Sequence, residues 1–121
     1  MIQERSYCGY RIYRHIGDDS VVTRRCLVKV LQCDGTGYEL PCSAGPLWGP
    51  LIGFEWGYVG VGPMQLSYDL CVHMLASPQD AKSLCRGLCS VWTSRLAYDG
   101  WSISYRDFRA LLRTVKSAYD F

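Results

Sequence analysis

Seven cysteines, two histidines and a scatter of carboxylates are the side chains of this sequence with the chemistry of nucleophiles, bases or metal ligands. The cysteines are Cys8, Cys26, Cys33, Cys42, Cys71, Cys85 and Cys89. Cys85 and Cys89 stand four residues apart, a spacing that puts both thiols on one side of a helix and would supply half of a metal site. The other half is missing: the only histidines are His15 and His73, and no Cys-x-x-Cys pair occurs. Cysteine otherwise behaves as a small buried hydrophobe, so core packing is the expected role and no metal is expected. An odd number of cysteines without Cys-x-x-Cys spacing fits a reduced chain better than a disulfide framework. His73 follows Cys71 by two positions, which on one helix turns the side chains roughly 200° apart, so no Cys–His pair forms locally. Glu39 and Glu55 would make a carboxylate pair only if the fold joined them. No Gly-x-x-x-x-Gly-Lys, His-Glu-x-x-His or Gly-x-Ser-x-Gly occurs. A protein that is not an enzyme and uses no cofactor is therefore expected.

Charge is more informative than nucleophiles. The net charge is +2, too small for a polyelectrolyte that coats nucleic acid, but it is unevenly spread. Residues 41–80 contain no Lys or Arg, whereas residues 81–121 hold seven basic and three acidic residues. Arg106, Arg109, Arg113 and Lys116 step by three, four and three, which on a helix confines them to an arc of about 80° beside the apolar stripe. Such a row suits phosphates or an acidic protein surface; it also suits a solvated rim whose aliphatic stems cover the core. A second candidate surface is the N-terminal hairpin, with Arg11, Tyr13 and His15 on one strand and Arg25 and Lys29 on the other. Arginines interleaved with aromatics are enriched where proteins meet partners. The glycines of Gly57-Tyr58-Val59-Gly60-Val61-Gly62-Pro63 could in principle cradle an anion at a helix start. Pro63 removes a donor, the valines add bulk and no Lys or Arg is near, so close packing is the favoured role.

The elements that must position these residues are legible in the periodicity. In residues 8–16 the even positions Cys8, Tyr10, Ile12 and Ile16 are apolar, and Arg11 and His15 are predicted to point the other way. In residues 21–32, Val22, Cys26, Val28 and Val30 share one face and Thr23, Arg25 and Lys29 the other. Turns are predicted at residues 17–20 and 34–37, followed by a short strand at 38–40. Nine of the nineteen residues from Gly45 to Pro63 are Gly or Pro, interleaved with Trp48, Phe54, Trp56 and Tyr58. Four large aromatics do not belong on a flexible linker, so an ordered loop packed on the domain is predicted. Gly62-Pro63 is predicted to open a first helix with Pro at its first position. Ser77-Pro78-Gln79-Asp80 is a capped start for a second, with Ala81, Leu84, Cys85, Leu88, Trp92 and Leu96 on its apolar side and Tyr98-Asp99-Gly100 at its end. Residues 101–103 read as a short extended piece. Ser104-Tyr105-Arg106-Asp107 caps a third helix that buries Phe108, Leu111, Leu112 and Val115.

These elements make an α+β fold: an N-terminal antiparallel β-meander of about three strands, with room for a short fourth at 101–103, packed with three C-terminal helices. A length of 121 residues with 49% hydrophobic content suits one domain, 1–121, divided into a meander at 1–40, an ordered loop at 41–62 and a helical part at 63–121. No apolar run reaches the roughly 18 residues of a membrane helix, and Met1-Ile-Gln-Glu-Arg-Ser-Tyr has no signal core, so a cytoplasmic location is expected.

The segment Gly53-Phe54-Glu55-Trp56-Gly57-Tyr58-Val59-Gly60-Val61-Gly62-Pro63-Met64-Gln65-Leu66 resembles an uncharacterised family of small proteins from phages, plasmids and integrated elements. That family's hallmark is Phe-x-Trp-Gly-Tyr-Gly-Gly-Ser-Gly-Pro-Ala-Gln-Leu-Ala after a short β region. Asp99-Gly100-Trp101-Ser102-Ile103 before a final helix is similar to its C-terminal end, so the likeness covers roughly 53–113. The chain departs at Val59, Val61, Met64 and Ser67. The resemblance implies an accessory protein of a mobile element that docks on a host protein or nucleoprotein complex, with inhibition of a defence system, in the manner of an anti-CRISPR protein, as the sharpest form. A direct nucleic-acid binder using the basic row is the alternative.

Overall fold

The computed structural model describes residues 4–16, 21–43 and 53–119. Two long strands, β1 (Ser6–Ile16) and β2 (Val21–Leu31), pair antiparallel along their whole length, Ser6 opposite Leu31 and Ile16 opposite Val21. Asp34 folds the next turn by accepting from both the Thr36 amide (2.9 Å) and hydroxyl (2.6 Å). It leads into β3 (Gly37–Glu39), which pairs with β2. The helices follow as α1 (Val61–Leu75), α2 (Pro78–Val91), a single 3₁₀ turn (Thr93–Arg95) and α3 (Tyr105–Tyr119). Between the 3₁₀ turn and α3, β4 (Gly100–Ser104) runs antiparallel to β1 on its free edge, so the sheet order is β3-β2-β1-β4. The α+β architecture expected from the periodicity is what forms, with the extended piece at 101–103 as a true fourth strand.

The inner face of the sheet is set by Val28 and Val30 of β2, both fully buried as their alternation predicts. On β1 the predicted faces are reversed. Register places Tyr7 opposite Val30 and Gly9 opposite Val28, so the odd positions Tyr7, Gly9 and Arg11 face the core, while Ile12 is 44% exposed. A one-residue shift exchanges every side chain of a strand between faces, and the alternation of apolar residues alone picked the wrong one. Gly9 is on the core face because nothing larger fits: a Cβ there would lie 2.3 Å from the Trp101 ring of β4. Arg11 is there because its charge is met inside. The hairpin turn at 17–20, Trp48, and the side chains of His15, Val22 and Thr23 lie outside the described residues.

α1 is the central helix. Leu66, Leu70 and Cys71 are fully buried, and so are the polar Gln65 and Ser67, with Asp69 nearly so. The buried polar groups are satisfied: Gln65 donates to Asp69 (2.7 Å) and to the Ser43 hydroxyl (2.9 Å), and Ser67 donates to the Pro63 carbonyl (2.9 Å). The helix begins two residues before the predicted start, with Gly60 as N-cap and Pro63 in the third position, where an N–H also has no partner within the helix. Gly62 admits Glu55, whose Cβ would be 2.6 Å from a Cβ on Gly62, so the glycine serves packing. Ser77 caps α2 by accepting from the Asp80 amide (3.1 Å), and Ser104 caps α3 from the Asp107 amide (3.1 Å), both as the sequence predicts. α2 stops at Val91, short of Tyr98, but Trp92 and Leu96 still pack on the core. Phe108, Leu112 and Val115 fasten α3 beneath the sheet, Phe108 meeting Tyr7 edge-on at 5.3 Å.

Candidate functional site: a cationic groove and a polar pocket

α3 carries its basic row on the surface, as predicted, but the four residues do different things. Arg106 leans toward Glu4, Nε to Oε1 3.8 Å. Arg109, Arg113 and Lys116 are exposed, have no ion pair with another described residue, and line one side of a groove of about 440 Å³. Its floor comes from three helices: Leu75 at the end of α1, Leu84 of α2 and Leu112 of α3. Asp80 stands at its α2 wall. The result is an apolar trough with a cationic rim.

Arg109 also belongs to a second depression, of about 280 Å³, at the end of the sheet where β1 begins, β3 begins and α1 finishes. Tyr38 of β3, His73 of α1 and Tyr105 of α3 line it with Arg5 and Gln32. His73 is held from both sides: its Nδ1 is 2.8 Å from the Tyr7 hydroxyl and its Nε2 2.6 Å from the Tyr38 hydroxyl. Burial lowers the His73 pKa, so a neutral ring donates from one nitrogen and accepts at the other. Tyr7 stacks on Tyr105 at 4.8 Å, and burial, with Tyr105 beside it, pushes its phenol far above the usual range. Burial raises Tyr105 as well. His73, Tyr7 and Tyr105 are therefore uncharged hydrogen-bonding groups at neutral pH.

The hairpin surface is not one surface. Arg25 and Lys29 project from the outer face, Arg25 to Glu39 (3.2 Å) and Lys29 over the Tyr10 ring at 5.8 Å. Tyr13 is half exposed and belongs to the opposite, inner parity of β1. Arg11 is a correction: its side chain is 1% exposed and cannot meet a partner. Its Nη2 lies 2.9 Å from Glu55 Oε1, its Nη1 donates to Glu55 Oε2 (3.0 Å) and Cys26 Sγ (2.7 Å), and its Nε donates to the Tyr98 carbonyl (2.6 Å). The guanidinium covers the Tyr98 ring at 3.8 Å and Trp56 at 4.8 Å. It clamps the 53–58 segment and the 96–98 connection to the sheet. With α3 on the inner side, Arg25 and Lys29 lie on the opposite side of the sheet from the groove.

The thiols and carboxylates considered as catalytic groups are dispersed. Burial pushes Cys71 up to about 12 and Cys42 up to about 11, and also raises Cys85 and Cys89, which makes all four poor thiolate sources. Cys71, Cys85 and Cys89 are buried and form no disulfide. Glu39 faces Arg25 and Glu55 faces Arg11, so they are not a pair. Among the described residues no group of three or more His, Cys, Asp or Glu side chains is placed to hold a metal. The Tyr7–His73–Tyr38 chain was missed in the sequence because its members are 66 and 35 positions apart. The one available signal was a histidine and tyrosines on elements that converge at one end of the sheet.

No described helix is long and apolar enough to cross a membrane. No curated protein and no solved structure matches the chain. The span 51–114 takes in α1, α2, β4 and most of α3, with His73, Tyr105, Arg109 and Arg113 inside it and Arg5, Tyr38 and Lys116 outside. That span, more than half of the chain, matches the family of unknown function DUF6166, and the protein belongs to this family.

Proposed function

We propose that this protein is a non-enzymatic binding protein of a phage or mobile element, acting in the cytoplasm, that docks on an acidic, partly apolar surface of a host protein or nucleoprotein complex. The observation that supports it is the groove beside α3: three exposed cations, Arg109, Arg113 and Lys116, above a floor of Leu75, Leu84 and Leu112. A leucine floor has nothing to offer a phosphodiester backbone, whereas a segment that alternates carboxylates with aliphatic side chains satisfies rim and floor together. Inhibition of a defence system, as anti-CRISPR proteins do, is the most specific form of the reading. The raised thiols of Cys42, Cys71, Cys85 and Cys89 and the pairing of Glu39 and Glu55 with arginines fit a role without covalent or acid–base chemistry at those residues.

Two assays test it. Expressed in cells whose active CRISPR system targets a phage, the protein should raise that phage's plating efficiency at least about tenfold, and Arg113→Glu with Lys116→Glu should abolish the gain. No gain removes the defence-inhibitor form. In a salt series, labelled duplex and single-stranded DNA should bind weakly or not at all; binding that falls steeply with salt and is lost in the same variant would instead establish direct nucleic-acid contact.

A further inference from the structure

We propose that the depression lined by Arg5, Gln32, Tyr38, His73, Tyr105 and Arg109 is a binding site for a phosphate dianion. Its lining has an asymmetry that a merely polar surface would not show: beside the Met74 thioether stand two guanidinium groups, a primary amide, two phenols and an imidazole, with no carboxylate among them. The nearby acids are directed elsewhere, Glu4 toward Arg106 and Glu39 toward Arg25 on the outer face. Guanidinium forks match the tetrahedral oxygens of phosphate, and two of them balance its second charge, which a carboxylate lacks. With His73 protonated at Nε2, Nδ1 accepts from the Tyr7 hydroxyl (2.8 Å) and Nε2 donates to the Tyr38 oxygen (2.6 Å), so Tyr38 keeps its own hydroxyl proton for a ligand and is held in place before one arrives. At about 280 Å³ the space suits the phosphate of a small molecule better than a run of nucleic-acid backbone. Free phosphate and a small phosphate ester present the same dianion. This site stands apart from the groove reading, since only Arg109 is common to both.

The test is a titration at constant ionic strength, following the Gln32 side-chain amide and His73 ring signals by NMR, with inorganic phosphate and with glycerol phosphate. A saturable shift is expected with a dissociation constant of roughly 1 mM or tighter. Tighter binding of the ester identifies an ester as the ligand, and equal binding identifies the free anion; either supports the site. Arg5→Gln should weaken binding about tenfold and Tyr38→Phe several-fold, while acetate at equal concentration should give no saturable shift. Lys116→Glu, a groove variant, should leave phosphate binding within about twofold, so that failure here and failure of the docking surface are told apart. No saturable shift up to roughly 20 mM phosphate, or equal binding by wild type and Arg5→Gln, would overturn the proposal. So would a 5′-phosphorylated oligonucleotide that binds while inorganic phosphate does not.

Discussion

Replacing Arg11 by Met should destabilise the fold far more than any other removal of a surface-looking arginine. The substitution keeps most of the aliphatic stem and removes a guanidinium that is 1% exposed and touches Glu55, Cys26 and the Tyr98 carbonyl. Breaking a buried ion pair by deleting one partner costs about 3–5 kcal/mol, because the other charge is left without a counterion. Glu55 remains 25% exposed and can recruit water, which places the loss near the low end, at about 3 kcal/mol. A chain of 121 residues has an unfolding entropy of about 0.25 kcal/mol/K, so the midpoint should fall by about 12 °C. Arg25→Met is the control. Its ion pair with Glu39 is 72% and 53% exposed, and such pairs contribute ~0–1 kcal/mol, a shift of no more than about 4 °C. Thermal and urea unfolding followed by far-UV circular dichroism would measure both. Arg11→Met with Glu55→Gln should be less damaging than the sum of the two changes, since it removes the orphaned carboxylate. An Arg11→Met protein as stable as the Arg25→Met control would refute the inward orientation of β1.

Gly9→Ala should cost about 1–3 kcal/mol, measured by the same unfolding curves, because the new methyl would stand 2.3 Å from the Trp101 ring unless β4 moves. Acid should weaken the fold in two steps. Burial holds His73 below its ordinary 6.5, so the unfolded chain takes up that proton first: the stability is complete above 6.5 and is lost as pH falls toward the lowered value. For Glu55, burial alone would raise the pKa, but the hydrogen bond and charge of Arg11 hold it below its ordinary 4.5; the pair's stability is present above 4.5 and lost as pH falls through the lowered value. Urea midpoints across this range should lack the lower step in Arg11→Met and the upper step in His73→Gln; an unchanged profile in either variant contradicts the assignment. Timed thiol labelling of the native protein should leave Cys71, Cys85 and Cys89 slow, and rapid modification of any of them would contradict their burial.

The helices were legible in the sequence almost to the residue where a local device fixes them. Ser77 and Ser104 cap α2 and α3 because a serine three positions before a free amide is sufficient locally. β2 was legible because Cys26, Val28 and Val30 share one face while Arg25 and Lys29 share the other, and the sheet has one wet side. β1 was not, because its core face is Tyr7, Gly9 and Arg11, a polar-looking set that becomes a core face only through Trp101 and Glu55, more than forty residues away. The basic row on α3 was legible from spacing, but the groove it rims was not, since Leu75 and Leu84 come from two other helices. The His73 chain needs three elements to meet before it exists at all.

The docking account is tested most directly by fluorescence anisotropy with a labelled synthetic peptide of alternating glutamates and leucines, with NMR shifts to locate it on the protein. Binding should be saturable, should perturb Leu75, Leu84, Leu112 and Arg113 while leaving Arg25 and Lys29 unmoved, and should weaken at least about tenfold in Arg113→Glu with Lys116→Glu, whose unfolding midpoint stays at the wild-type value. Equal affinity in the folded charge-reversed protein, or shifts centred on the outer face of the sheet, would contradict it.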